Sequence, residues 1–181
     1  HDSSGNVTAI TENGQTTAMT YDSGGNLTRV TYPDGRYVAY TYDAQGRKSS
    51  MSDSEGYQTG YRYNSAGLLT EVTDGSQTLI TYHYDADGNL IRQENANGSG
   101  TAYTYQGDWL ASIENYGPDG GQLSAFSYTY NAENRMVSMT DAAGTWQYDY
   151  DGRGQLTQVI SPDGTVSQYR YDAAGNRTQV I

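Results

Sequence analysis

The sequence predicts an all-β protein: an array of about nine antiparallel β-hairpins that form one continuous curved sheet. Three observations support this fold class. A short phrase, Tyr-Asp-x-x-Gly, returns about every 21 residues along the chain. A second, glycine-containing turn lies between successive copies of the phrase. No long window shows the apolar periodicity of an amphipathic helix.

The repeat is marked by a lead tyrosine that opens each copy of the phrase. The lead positions are Tyr21, Tyr42, Tyr63, Tyr84, Tyr105, Tyr130, Tyr150 and Tyr171, with His1 in the same slot at the start. Successive leads are 20 or 21 residues apart, except for one step of 25. We therefore predict a single repeat array over residues 1–181, with repeats that start near 1, 21, 42, 63, 84, 105, 130, 150 and 171.

The second and fifth positions of the phrase complete a structural signature. The second position carries a short side-chain acceptor, as at Asp22, Asp43, Asp85, Asp151 and Asp172. The fifth is glycine at Gly25, Gly46, Gly67, Gly88, Gly154 and Gly175, and asparagine at Asn134. After glycine, asparagine best tolerates the left-handed backbone conformation, so Asn134 supports the same turn. The sixth copy, 105–109, is one residue short and the least regular.

The second turn of each repeat predicts a hairpin. It contains Asn-Gly, Asp-Gly or a related pair between two β-rich runs, as at Asn13-Gly14 and Pro33-Asp34-Gly35. Each repeat is thus one hairpin, and the Tyr-Asp phrase is the reverse turn to the next one. In the step of 25, we expect the four additional residues, within 114–124, to extend the hairpin tip and leave strand pairing intact.

Tyrosine and aliphatic columns describe how neighbouring hairpins meet. With 19 Tyr and only one Phe, we expect rings that are half buried, each with its hydroxyl reaching water or a backbone carbonyl. Aliphatic residues recur six and nine places after the lead, as at Leu27 and Val30. A spacing of three places them on opposite faces of an ideal strand. Either the strand carries a bulge or both faces are partly covered, and the sequence leaves both alternatives open.

Composition argues against several classes of function. The net charge of −11, from 21 acidic and 10 basic residues, disfavours a phosphate backbone as partner, so we expect no nucleic acid binding. The absence of Cys rules out a disulfide framework and a thiolate metal site. No apolar stretch approaches the length of a membrane span.

Candidate chemical sites are better explained by the repeat itself. The stretch Asp85-Ala86-Asp87-Gly88-Asn89 resembles the start of a calcium loop, but Ala96 stands at the twelfth position, where a bidentate Glu is required. An Asx-type turn explains it better. The recurring Asp residues occupy equivalent surroundings, whereas a general acid and base need unlike ones. We therefore predict no catalytic, cofactor or metal site, and a protein that is not an enzyme.

The phrases YDAAGNRTQV at 171–180 and YDSGGNLTRVTYPDGRYVAYTYDAQGR at 21–47 closely resemble the YD repeats of the Rhs family. Shell-forming subunits of bacterial insecticidal Tc toxins, wall-associated proteins and the animal teneurins share these repeats. The resemblance covers all 181 residues. It implies hairpins wound into a β-strand spiral that closes as a hollow shell, which holds an effector in the toxins and contributes to an adhesion receptor in teneurins. Nothing in this chain resembles the plug region or an effector, so the resemblance implies a piece of shell wall.

Two functions are consistent with these features. The first is a structural segment of an Rhs-type shell or extracellular scaffold, secreted or on a bacterial cell surface, that encloses, displays or spaces other domains. Neither terminal strand looks like a cap, so its partners would be further repeats of a longer parent or another copy joined head to tail, and an enclosed effector domain. The alternative is a carbohydrate-binding or adhesion module with exposed Tyr faces and sugar contacts at Trp109 and Trp146. Solvent exposure of these rings distinguishes the two.

Overall fold

The computed structural model describes residues 1–181 and contains seventeen β-strands and no helix, which confirms the all-β prediction. No helix with the length and apolarity of a membrane span is therefore present. The chain divides into two compact units, His1–Gly88 and Asn89–Ile181. That residues 1–181 belong to a single repeat array stays a prediction.

The first unit is an antiparallel meander in which every strand pairs with the next one along the chain. Its hairpin tips lie at the second turns of the repeats, where the Asn-Gly and Asp-Gly pairs predicted them. The strands are β1 (Ala9–Glu12), β2 (Gln15–Tyr21), β3 (Leu27–Thr31), β4 (Tyr37–Tyr42), β5 (Lys48–Asp53), β6 (Gln58–Tyr63), β7 (Leu69–Asp74) and β8 (Gln77–Tyr84).

The second unit repeats the same arrangement, again with sequential antiparallel pairing. Four hairpins are followed by one further strand. The strands are β9 (Leu90–Asn95), β10 (Gly100–Gln106), β11 (Trp109–Tyr116), β12 (Gln122–Tyr130), β13 (Met136–Asp141), β14 (Gly144–Tyr150), β15 (Leu156–Ile160), β16 (Val166–Tyr171) and β17 (Arg177–Val180).

The long repeat keeps its strand pairing, as predicted. Strand β12 pairs with β11 on one side and with β13 on the other. The additional residues lengthen the two strands, to 8 residues in β11 and 9 in β12. The tip itself is the ordinary one: the Gly117 N–H donates to the Gly121 carbonyl at 2.8 Å, as the Tyr32 N–H does to the Arg36 carbonyl at 2.8 Å. The tip is therefore carried outward on a longer hairpin.

A β-bulge decides between the two alternatives for the aliphatic columns. Tyr21 pairs with Leu27 and Met19 with Val30, so Thr28 is an extra residue in β3. Because directly paired residues point to the same side, the bulge brings both aliphatic columns onto the tyrosine face. A register shift beside a lead tyrosine recurs in seven strand pairs: β2–β3, β4–β5, β6–β7, β10–β11, β12–β13, β14–β15 and β16–β17.

Neither unit contains a fully buried apolar core. No hydrophobic side chain is buried, and most tyrosines and aliphatic residues of the tyrosine face are half-buried. Each hairpin is therefore covered mainly by the hairpins beside it in the sheet. Stability of this kind comes from contacts between neighbouring repeats, as in other repeat proteins.

Candidate functional site

The recurring site of this chain is the junction between one hairpin and the next, and its first component is the Tyr-Asp turn. In the second repeat the Asp22 N–H donates to the Asn26 carbonyl at 3.0 Å, and the Gly25 N–H donates to the Asp22 carbonyl at 3.1 Å. The Asp22 carboxylate accepts hydrogen bonds from the backbone N–H groups of Gly24 and Asn26, both at 2.9 Å. Aspartate thus closes a five-residue turn from within.

The turn requires an acceptor and does not require a charge. Asn64 replaces aspartate in the fourth repeat, and its side-chain oxygen accepts from the N–H groups of Ala66 and Leu68, both at 3.0 Å. At Asp22 the side-chain amide of Asn26, with the backbone N–H groups of the turn, lowers the pKa of the carboxyl group. A lowered pKa reflects a carboxylate whose ionised form is held by its own loop. These aspartates are placed as turn formers.

The fifth position adopts the left-handed conformation that the sequence pattern requires. Gly25 has φ of 84° and Asn134 has φ of 61°, so asparagine takes the place of glycine without a change of turn. The calcium-like stretch has the same geometry, because the Asp87 N–H donates to the Asp85 carboxylate at 3.0 Å. The short sixth copy differs: Gln106 pairs with Trp109 around a two-residue turn.

The second component is a hydrogen bond from each lead tyrosine to the preceding hairpin. We call it the tyrosine bridge. The hydroxyl donates to a backbone carbonyl of the preceding repeat, at 2.7–2.9 Å in all eight cases. The bridges are Tyr21 to Val7, Tyr42 to Leu27, Tyr63 to Lys48, Tyr84 to Leu69, Tyr105 to Leu90, Tyr130 to Leu110, Tyr150 to Met136 and Tyr171 to Leu156.

The bridge lies where the two strands of a hairpin diverge. The ladder between β3 and β4 starts at Arg29 opposite Ala39 and does not include Leu27. The Leu27 carbonyl therefore has no partner in that ladder, and the Tyr42 hydroxyl satisfies it at 2.8 Å. The other seven acceptors likewise lie beyond the open end of their own hairpin ladder. The expectation that tyrosine hydroxyls reach backbone carbonyls is met at every lead position.

Burial of the tyrosine rings affects their ionisation. Burial raises the pKa of Tyr42 and of Tyr84, both lead tyrosines. It also raises the pKa of Tyr148, which stands two residues before a lead. A phenol that must remain protonated to donate its hydrogen bond is disfavoured as an anion in this position.

Sequence reasoning missed the residue that immediately precedes each bridge acceptor, which we call the joint residue. Arg47 is an example: its guanidinium lies 4.6 Å from the ring centroid of Tyr63, the lead tyrosine of the next repeat. The signal was present in the repeat alignment, because the Asn, Arg, Leu, Trp and Gln residues of this column are mostly long or polar. It was overlooked because the column is variable.

Trp109 and Trp146, the expected sugar contacts, lie in different surroundings. Trp109 is a joint residue and is 42% exposed, with its ring centroid 5.5 Å from that of Tyr130. Trp146 is half-buried on the tyrosine face opposite Met139, and its indole N–H is buried without a hydrogen-bond partner. The structure therefore does not bring the two rings together as a matched pair on one hairpin.

The family model for the teneurin YD-shell matches residues 1–112, which is more than half of the chain. The chain belongs to the YD-shell family. The model of the RHS repeat matches residues 150–181 of the same chain. In the YD-shell chain described here, the Tyr-Asp pair that names the repeat supplies both components of the junction: the bridge donor and the turn acceptor.

Solved structures with the same fold come from Tc toxins. The crystal structure of TcdB2-TccC3-Cdc42 matches with a TM-score of 0.74 at 19% identity, over 92% of this chain and 11% of that chain. The Photorhabdus luminescens Tc holotoxin pore with a TccC3 mutation matches with a TM-score of 0.73 at 20% identity, over 92% of this chain and 11% of that chain. The YD-shell chain thus spans about a tenth of the length of those chains. No curated protein matches it.

We expect Tyr84→Phe to lower the free energy of unfolding by about 1 kcal/mol, because it deletes the hydroxyl that satisfies the Leu69 carbonyl and retains the ring. Equilibrium urea unfolding measures the change. Tyr57→Phe is the matched control, since this side chain is 67% exposed and makes no bridge. Equal effects of the two substitutions would contradict a stabilising role for the bridge.

We expect the chain to lose stability at alkaline pH. The pKa of Tyr84 is raised above its ordinary value of 10.0, so the folded state holds the phenolic proton more tightly than the unfolded state. This contribution is fully present below pH 10.0 and is lost as the pH rises through the folded-state pKa. The urea midpoint measured from about pH 8 to about pH 11, roughly two units below to one unit above the ordinary phenol pKa, should fall only at the alkaline end of this range. A smaller fall is expected for Tyr84→Phe, and an unchanged profile in that variant would contradict the assignment.

Proposed function

We propose that this chain is a wall segment of a larger YD-repeat shell or extracellular scaffold, which encloses, displays or spaces other domains and has no catalysis of its own. The observation that carries the proposal is the tyrosine bridge, formed by all eight lead tyrosines. The most regular side chains of the sequence are committed to joining repeats. A catalytic site, by contrast, would need its side chains in one place and would not need them in every repeat.

The energetics of the sheet agree with this role. Without a buried apolar core, each hairpin depends on the repeats beside it. A sheet of this kind can be extended by further repeats with no change in the contacts of those already present. That property suits a wall, whose extent must match the object that it surrounds.

The partners follow from the same proposal. They are further YD repeats of the same parent chain or another copy joined head to tail, together with an enclosed effector domain. Membership of the YD-shell family and the shared fold with Tc toxin structures support this set of partners. The same observations favour a secreted or cell-surface location in a bacterium.

The test uses the full-length protein that contains this chain, with limited proteolysis and mass spectrometry. We expect a domain elsewhere in the protein to resist protease while the wall is intact. Deletion of one complete repeat, residues 42–62, keeps the hairpin phase but shortens the wall, and should make that domain susceptible. Electron microscopy of the intact protein should show the repeats around an internal volume. An intact protein with every other domain freely cleaved and no internal volume would contradict the enclosing role.

A carbohydrate-binding or adhesion module remains the second candidate, favoured by the exposure of Trp109. Sugar binding requires an aromatic face beside free polar groups. Against it, the Trp109 ring contacts Tyr130, and the lead hydroxyls are occupied by the bridges.

Tryptophan fluorescence tests this alternative. We expect neutral oligosaccharides to cause no saturable change in emission, because one side of the Trp109 ring is already engaged. A saturable change that Trp109→Ala abolishes and Trp146→Phe retains would favour the sugar-binding module over a purely structural wall.

A further inference from the structure

The joint residues differ in whether the side chain reaches the next turn. Each joint residue immediately precedes a bridge acceptor or its equivalent, so the column has one member in every repeat. The joint residues are Asn6, Asn26, Arg47, Leu68, Asn89, Trp109, Arg135, Gln155 and Asn176. The turn that each could contact is the Tyr-Asp turn of the next repeat.

At Asn6, Asn26 and Asn176, the joint asparagine folds back onto its own turn. The side-chain amide of Asn26 donates to the Asp22 carboxylate at 3.0 Å, and that of Asn6 donates to Asp2 at 3.0 Å. The glycines of the turns that follow, Gly25 and Gly46, have no atom within 4 Å of the point where a Cβ would stand. These joints are therefore open at the glycine of the next turn.

Long side chains at the joint reach across to the next turn. In the first unit, Arg47 donates from Nε to the Asp43 carboxylate of its own turn at 2.7 Å and also reaches the next turn, with Nη1 3.5 Å from the Asn64 carbonyl and 3.4 Å from the Cβ position of Gly67. Leu68 places Cδ1 3.6 Å from the Cβ position of Gly88. The fifth-position glycine of the next turn is therefore contacted after Arg47 and Leu68, whereas it has no neighbour after Asn6 and Asn26.

The second unit shows the same behaviour with different side chains. Arg135 places Nη1 3.0 Å from the Cβ position of Gly154. The Gln155 side-chain amide donates to the Gly175 carbonyl at 3.4 Å, and at this joint Arg153 also donates to the Ala173 carbonyl at 3.1 Å. Trp109 precedes a turn with asparagine in place of glycine, and it packs on the lead ring of that turn instead. Guanidinium, amide, indole and isobutyl groups share only their length.

We propose that the joint residue determines which successive repeats are clamped together and which remain free to flex. The clamp partner is the Tyr-Asp turn of the next repeat, recognised through its glycine, a turn carbonyl or the lead tyrosine ring. The inference rests on the proposed function as a wall segment and adds a rule for it: stiffness is set joint by joint, chiefly by the variable joint residue. Bridges hold every pair of repeats, whereas clamps hold only some.

Spin labels across two neighbouring joints test the proposal. The chain has no cysteine, so Ser23→Cys with Ala44→Cys reports on the Asn26 joint, and Ala44→Cys with Ser65→Cys reports on the Arg47 joint. All three positions are exposed in equivalent places of their turns. Equivalent positions in adjacent repeats are about 10 Å apart, a range in which dipolar broadening of continuous-wave spectra is sensitive.

We expect a narrower distance distribution across the Arg47 joint than across the Asn26 joint. Arg47→Asn, which installs the side chain of the open joints, should broaden it to the width at Asn26. Arg47→Gln, which copies the clamp at Gln155, should keep it narrow. In the opposite direction, Asn26→Arg should narrow the first joint, so the proposal stays testable if Arg47→Asn fails to fold.

The clamp would be overturned if the two wild-type joints gave distance distributions of equal width. It would also be overturned if none of the three substitutions changed the width in folded protein. Far-UV circular dichroism and the urea midpoint show whether each variant is folded. A merely stabilising Arg47 would change the urea midpoint and leave the width unaltered. The outcome is independent of any enclosed domain, so failure of the clamp and failure of the wall proposal give different results.

Discussion

The hydrogen bond from each lead tyrosine to the preceding hairpin is the constraint on which the rest of this structure depends. A hairpin whose strands diverge leaves carbonyl groups without a ladder partner, and such groups are costly unless another donor reaches them. The Tyr42 hydroxyl reaches the Leu27 carbonyl from the end of a half-buried ring. Phenylalanine has the ring without the donor, which accounts for tyrosine at all eight of these lead positions.

Turn and bulge serve to position this donor. The Asp22 turn fixes where the chain reverses after Tyr21, and the extra residue Thr28 then shifts the register of the following strand. The shift brings Leu27 opposite Tyr21, on the tyrosine face, while its carbonyl is left at the open end of the next ladder. Because each of these steps is local to about one repeat, the same solution can recur along the chain. The period of about 21 residues is the length of this local solution.

Much of the fold could be predicted from the sequence, because turns are local. Asn13-Gly14 and Pro33-Asp34-Gly35 located hairpin tips, and Asn134 was identified as a left-handed position. The class of partner for the tyrosine hydroxyl was also predictable from chemistry. Which carbonyl accepts the hydrogen bond was not predictable, because every residue type has a backbone carbonyl. The bulge at Thr28 was undecidable for a similar reason, since the spacing of Leu27 and Val30 suits either explanation. The joint residues were missed because they vary, and the contact of the Trp109 ring with Tyr130 could not be predicted because it depends on how the two hairpins pack. A sugar contact at Trp109 stays a prediction.

The tyrosine bridge and the joint residue have different roles in the repeat array: the bridge holds neighbouring repeats together, and the joint residue varies the contact between them. The bridge is formed in the same way at every lead tyrosine, so cohesion along the sheet does not depend on which repeat follows. The joint residue lies one place before the bridge acceptor and can change from Asn26 to Arg47 without disturbing the bridges that Leu27 and Lys48 accept. Substitution in this column can therefore alter the contact between neighbouring repeats while their cohesion is maintained. A wall built in this way can vary its flexibility along its length through single side chains, with no change of fold.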